Sequence, residues 1–361
     1  MTRVGFIING AAALIAQELA LLRVLLEGRN PGAGGKGVEQ PQAISGVSSG
    51  SLSSVCINAI LAGLNGQSRG NRPFTWDILL NEILFPLKDD DIYKTGPLAD
   101  LQRLENIAEG FIYDTDPLKA TLTRIVNGEE FMNWHVLGDL YVQTHIPAIS
   151  RMSGAVHYAS SIKNANINLV DMLMGSTAIP VAFPPRNIPG FNTSDDDLYI
   201  DGGMGSEGVP VNGFIQDIQA NGLFDEVYVI GPQRSDIGER GEKGDPALMD
   251  KHSVHETDDD DDDDASSSNN HPGIIANATF AFEVINAGTF PLALYRVLDL
   301  VKDKSKAFVY IPELKHQYGL LNFGVMKKQY DDTIAWASGN DPIPVQEYLN
   351  RYFPEHAKML R

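Results

Sequence analysis

Apolar residues along this chain switch between the two spacings that mark strands and helices. VGFIIN at 4–9 is a short run of β-branched and aromatic residues and reads as a buried strand. IAQELALLRVLLEG at 15–28 places apolar residues on a helical period and closes on Gly28, a helix stop. The glycine-rich loop RNPGAGGKG at 29–37 follows, and PQAISGVSSG at 41–50 runs from a second strand into a turn. SLSSVCINAILAGLNG at 51–66 is again helical and ends in glycine. Strand, helix, strand, helix with glycine at the turns is the pattern of a parallel sheet covered by helices. The stretch from Phe74 to Trp134 reads as mostly helical, with Pro86 ending or kinking the helix of LLNEILFPL at 79–87. GAVHYASS at 154–161 reads as a strand, and NLVDMLMGSTAIP at 168–180 as a helix running into a turn. LYIDGG at 198–203 reads as a strand ending on an acid and two glycines, and FDEVYVIGP (224–232) and KAFVYIPE (306–313) as further strands. The expected fold class is α/β with a mostly parallel central sheet. No internal repeat breaks the chain, so 1–361 reads as a single domain.

Two segments depart from that pattern. The stretch at 238–273 is polar and holds seven consecutive aspartates, Asp258 to Asp264. It reads as a disordered surface insertion, because like charges repel and nothing in it can build a core. A calcium loop spaces its carboxylates around a glycine, a geometry this run lacks. AFEVINAGTFPLALYRVLDLV at 281–301 is apolar on one side and interrupted by Gly288 and Pro291. It reads as core packing, with a lipid-facing lid or acyl-chain wall as the sharper alternative.

Composition narrows the partners. With 361 residues and 43% hydrophobic content, the chain can bury a full core. Its formal net charge of -19 opposes nucleic-acid binding and docking on strongly anionic lipid. Cys56 is the single cysteine, so no intrachain disulfide or thiolate zinc site can form, and it reads as an inert core thiol. The apolar stretch 11–26 is interrupted by Gln17, Glu18 and Arg23 and is too short to span a bilayer. A soluble, cytoplasmic protein is expected, without metal or cofactor.

The candidate chemistry begins at GVSSG, 46–50, which matches G-x-S-x-G. A serine at a sharp strand-to-helix turn sits in a strained conformation, and flanking glycines let neighbouring backbone pass close by. The helix that follows offers free amides to developing negative charge. Ser48 is then the candidate nucleophile, and a hydroxyl needs a base. Of the eight histidines, none sits in a glycine-flanked loop after a strand; His252, His255 and His271 fall in the acidic insertion, and His316 is the best remaining candidate. Asp201 is the better one. It ends an apolar strand, where a carboxylate is costly unless it is used or paired, and two glycines follow it.

GVSSG, then STAIPVAFPP at 176–185, then YIDGG at 199–203 resembles the patatin-like phospholipase family. That family carries Gly-x-Ser-x-Gly, a Ser-x-Ala-Ile-Pro-x-x-Phe-Pro-Pro stretch and a downstream Asp-Gly-Gly or Asp-Gly-Ala in this order. The resemblance spans Val4 to Gly231. It implies a three-layer α/β/α fold and a calcium-independent lipid acyl hydrolase with a Ser48–Asp201 dyad, without histidine. The motif glycines would be Gly46, Gly50, Gly202 and Gly203, and the amides of Gly10, Ala11 and Ser49 would form the oxyanion hole. Its substrate would be an acyl-lipid ester, met in transient contact at a membrane surface. Two departures stand out. The family's Gly-Gly-Gly-x-Arg-Gly loop is Asn9-Gly10-Ala11-Ala12-Ala13-Leu14 here, and Gly208 replaces an asparagine after the aspartate. Two rival readings remain: a histidine-dependent acyltransferase or α/β hydrolase, and a catalytically weak lipid-binding module.

Overall fold

A computed structural model describes residues 2–33, 36–94, 111–191, 197–205, 208–234 and 288–359. Eight strands form one sheet: β1 (Val4–Ile8), β2 (Ala43–Gly46), β3 (Gln143–Ser150), β4 (Val156–Ser160), β5 (Tyr199–Asp201), β6 (Glu226–Ile230), β7 (Ala307–Tyr310) and β8 (Ile343–Pro344). Their order is β4-β3-β2-β1-β6-β7-β8, with β5 paired to β3. β1, β2, β3, β6 and β7 run parallel, and β4, β5 and β8 are antiparallel additions. The mostly parallel α/β sheet expected from the sequence is the observed one.

Helices cover both faces. Among the described residues they include α1 (Ile15–Glu27), α2 (Ser49–Leu64), α3 (Asp116–Leu122), α4 (Leu169–Ser176), α5 (Asn212–Asn221), α6 at 288–297, α7 (Met326–Ala337) and α8 (Val345–Tyr352). β1 is buried at every position, as a central parallel strand must be when both faces are covered. Val4, Phe6 and Ile8 pack with α1 and α2, while Ile7 packs with Phe214 of α5, Val297 of α6 and Val309 of β7 on the opposite face. α1 is wedged between α2 and α7 and buries every residue from Ile15 to Leu22. The sequence reads Gln17 and Glu18 as polar breaks in an apolar run, yet both have no exposed surface.

Three segments need comment. β3 leaves no strand signal in the sequence because Pro147 interrupts it and its residues from Thr144 to Ser150 are all buried, so no alternation survives. The π-helical segment Ile78–Leu84 ends before Pro86, as that proline requires. In the apolar stretch 281–301, Phe290, Leu294 and Val297 sit in the core on the far side of the sheet from α1 and α2, so its described part is core packing. The acidic insertion 238–273 lies outside the described residues.

β3 decides where the site forms. β2 pairs with β3 only over Gln143–His145 and stops at Gly46. β5 then takes over the same edge of β3 further along, with Asp201 opposite Ala148. The end of β5 is thereby delivered beside the turn that follows β2. This is the carboxyl end of the parallel strands, where open α/β sheets place their ligand sites.

Candidate active site

Ser48 occupies the turn between β2 and α2 with φ 55 and ψ -129, a region that non-glycine residues enter only under constraint. The constraint is visible on both sides. A Cβ at Gly46 would overlap the Ser54 hydroxyl and the Gly50 carbonyl oxygen, and one at Gly50 would overlap the Ile8 carbonyl oxygen. Glycine at both positions lets the first turn of α2 press against the ends of β1 and β2. The Ser48 amide meets Ser176 Oγ at 3.3 Å, and Ser176 Oγ donates to the Pro147 carbonyl at 2.8 Å. The hydroxyl of Ser176, the first residue of STAIPVAFPP, thus ties the Ser48 turn to β3.

Asp201 has no exposed surface. Its Oδ1 accepts the Gly203 amide at 2.8 Å, and its own amide donates to the Ala178 carbonyl at 2.9 Å. A Cβ at Gly202 would sit 2.5 Å from the Pro147 carbonyl oxygen, so only glycine lets the chain turn away here. STAIPVAFPP therefore holds both partners, Ser48 through Ser176 and Asp201 through Ala178. The Ser48 hydroxyl lies near enough to act on the Asp201 carboxylate as a hydrogen-bond donor. Oδ2, however, makes no bond of good geometry. Loose contacts of this kind are usual before substrate binds. Burial pushes the Asp201 carboxyl up to about 7, against the lowering effect of the Ser48 and Gly203 contacts.

The loop after β1 closes the site. A Cβ at Gly10 would overlap Ser48 Cβ and the Val47 carbonyl oxygen and would lie 2.9 Å from the Ser49 nitrogen, so the loop rests directly on the Ser48 turn. Ala11 keeps a negative φ, -158, outside the left-handed region that favours glycine. Ala12 carries the strain, with φ 47. Of the three expected oxyanion donors, Ala11 is already engaged: its N–H donates to Ser49 Oγ at 2.9 Å. The Gly10 and Ser49 amides have no such partner among the described residues.

A cavity of about 100 Å³ opens on Ser48 and runs between α1, α2 and α3. Apart from Ser48, Ser49, Cys56, Thr121 and Thr177, every side chain lining it is hydrocarbon, aromatic or thioether. Cys56 is half-buried on this wall rather than sealed in the core, and burial pushes its thiol up to about 12, so it stays protonated. Sequence reasoning does not find this cavity, because its walls come from distant segments; Phe323 and Met326 belong to the C-terminal part that carries no motif.

The described histidines lie elsewhere. His316 meets Tyr318 edge-on and faces Asp332. His145 is buried against Phe214 of α5, where burial pushes it down to about 4. No hydrogen bond or ring contact of a described histidine reaches Ser48 or Asp201. Among the described residues no group of three His, Cys, Asp or Glu is gathered as for a metal ion, and no helix is long and apolar enough to cross a membrane.

Comparison with known proteins adds a family. A family model described as patatin-like phospholipase matches residues 6–215. No curated protein matches the chain. Among solved structures, VipD from Legionella pneumophila aligns with a TM-score of 0.34 and 10% identity, over 94% of this chain and 67% of that one.

Proposed function

This chain belongs to the patatin-like phospholipase family, and from that premise we propose that it hydrolyses long-chain acyl esters of lipids through an acyl-enzyme on Ser48. The observation that carries this reading is the apolar cavity ending at the Ser48 hydroxyl. A wall with almost no polar group offers nothing to a sugar, peptide or phosphate, and it suits an alkyl chain.

In the proposed reaction Asp201 takes the Ser48 proton as the hydroxyl attacks the ester carbonyl. The Gly10 and Ser49 amides receive the oxyanion, and the alcohol part of the lipid leaves with the proton. Water, deprotonated by Asp201, then releases the fatty acid. The base works only when ionised, and burial holds Asp201 near 7. The rate should therefore rise through neutrality, with kcat/KM falling about tenfold for each pH unit below 7. A flat profile from pH 5 to 7 would contradict an aspartate base.

Chain length tests the cavity. Each buried methylene contributes about 0.8 kcal/mol, so kcat/KM for nitrophenyl esters should rise about fourfold per methylene until the cavity is full. Cys56 lies eight residues beyond Ser48 on α2, about 12 Å along the helix. Cys56→Trp should plug the cavity at that depth. Hexadecanoyl ester hydrolysis should fall about 100-fold while butyryl ester hydrolysis stays within about threefold, since the first turns of chain still fit. Equal losses on both esters would show that the acyl chain binds elsewhere. The rival reading, a lipid-binding module without turnover, predicts binding of long-chain lipid with no release of product from any ester.

A further inference from the structure

We propose that Glu18 is a positioning residue for the oxyanion loop: through the Ser49 hydroxyl it fixes the Ala11 amide, and with it Gly10, against the Ser48 turn. The proposal rests on the reading of Ser48 as nucleophile and adds a residue to it. Glu18 has no exposed surface and makes no ion pair among the described residues, and such a group in a helix core is costly unless every oxygen is used. Both are used. Ser49 Oγ donates to Oε1 and Ser53 Oγ donates to Oε2, each at 2.6 Å. Ser49 has one hydroxyl proton, and Glu18 takes it. The Ser49 oxygen is thereby left as an acceptor, and it receives the Ala11 N–H at 2.9 Å. Glu18 thus sets the direction of a bond that holds the middle of the loop. The loop's two ends are fixed separately, by Asn9 N–H on the Ile230 carbonyl and Ala13 N–H on the Leu320 carbonyl. Between those ends lies Ala12 at positive φ, a backbone that relaxes if it is not held.

Charge supports the arrangement. Burial pushes Glu18 up to about 8, against the lowering effect of the bonds from Ser49, Ser53 and Ala11. Near neutrality the acid is mostly protonated. Protonated, it keeps Oε1 as acceptor for Ser49 while the 2.6 Å contact with Ser53 reverses, Oε2–H donating to the Ser53 oxygen, and no anion opposes the oxyanion at Ser49. Above pH 8 a buried negative charge develops there. Among the described residues the neighbouring cations are already paired. On α1 itself Arg23 pairs with Glu27. On α7, Lys327 pairs with Asp331 and Lys328 with Asp332, all at least partly exposed, and Tyr330 bonds Arg23. On β6, Tyr228 donates to Glu226. On α2 the neighbour is Cys56, whose thiol is raised first by burial and then by Glu18.

The test compares four variants on one soluble acyl ester, with rates divided by the folded fraction. Glu18→Ala should lower kcat about 10²-fold and leave KM within about threefold, because small misplacements at the reacting centre cost that much. Glu18→Gln keeps an oxygen for Ser49 and an amide for Ser53; it should recover to within about fivefold of the parent and lose the parent's decline above pH 8. Leu22→Ala removes a fully buried side chain of the same helix away from the cavity, and per folded molecule it should match the parent. Ser48→Ala should be inert. If Glu18→Ala and Leu22→Ala behave alike, or if Glu18→Gln keeps the alkaline decline, the inference is overturned. If Ser48→Ala hydrolyses the ester, the nucleophile assignment itself fails.

Discussion

Asp201→Asn is expected to abolish turnover and to stabilise the protein above neutral pH. The amide keeps the shape and the Gly203 bond to Oδ1, but it cannot take the Ser48 proton. Loss of a general base costs about 10²–10⁴ in rate. The stability gain follows from the same burial. The unfolded chain releases this proton near 3.8, whereas the folded protein holds it to about 7. Between those values the native state binds a proton that the unfolded state has lost, so stability falls as pH rises from about 4 to 7 and stays low above. Each tenfold difference in proton affinity between the two states is worth about 1.4 kcal/mol, so the penalty at pH 8 is up to about 4 kcal/mol. Thermal melts at pH 8 should therefore place Asp201→Asn above the parent, and the difference should shrink toward pH 4. A variant that melts lower at pH 8, or one that keeps its activity, would remove Asp201 from the role of strained, functional acid.

Gly10→Ala should be nearly as damaging, for a steric reason. The added Cβ would meet Ser48 Cβ, the Val47 carbonyl and, at 2.9 Å, the Ser49 nitrogen. Two of these three are backbone atoms at a turn that is already strained, so the loop and not the turn must retreat. Retreat withdraws the Gly10 amide from the oxyanion, and loss of one such donor typically costs about 10²–10³ in rate. Overpacking adds about 1–3 kcal/mol of instability. Ester hydrolysis normalised to folded protein separates the two effects. By contrast Ala11→Gly should change little, because Ala11 keeps a negative φ and the substitution leaves its amide to meet Ser49 Oγ. A Gly10→Ala variant within about threefold of the parent would mean that the loop lies clear of the reacting carbonyl.

The parts of this site that could be read from sequence are those coded locally. A buried strand, a glycine-flanked serine before a helix, and a strand ending in Asp201-Gly202-Gly203 each leave a signature within a few residues. β3 leaves none, since Pro147 breaks its run and burial on both faces removes the alternation. Yet β3 is what sets Asp201 beside the nucleophile turn. Ser176 stands in a quoted motif, but its bonds to Ser48 and Pro147 span distant segments. The engagement of Ala11 by Ser49 is equally silent, because a backbone amide's partner depends on a side-chain rotamer across the loop. Glu18 reads as a polar interruption in an apolar helix, and only the packing of α1 against α2 brings it its partners Ser49 and Ser53. The glycine-poor loop at 9–14 reads as a threat to the oxyanion hole; in the fold only Ala12 takes a positive φ, and Gly10 keeps the position that excludes a side chain.

The central claim is that Ser48 is the nucleophile at the mouth of an acyl-chain cavity. The most direct measurement is reaction with a long-chain alkyl fluorophosphonate, followed by peptide mass analysis and residual activity. One phosphonyl group per chain is expected, on the peptide carrying Ser48, with activity lost in step and with protection by a long-chain fatty acid. Inactivation without a label on Ser48, or full labelling of Ser48 with hydrolysis intact, would contradict it.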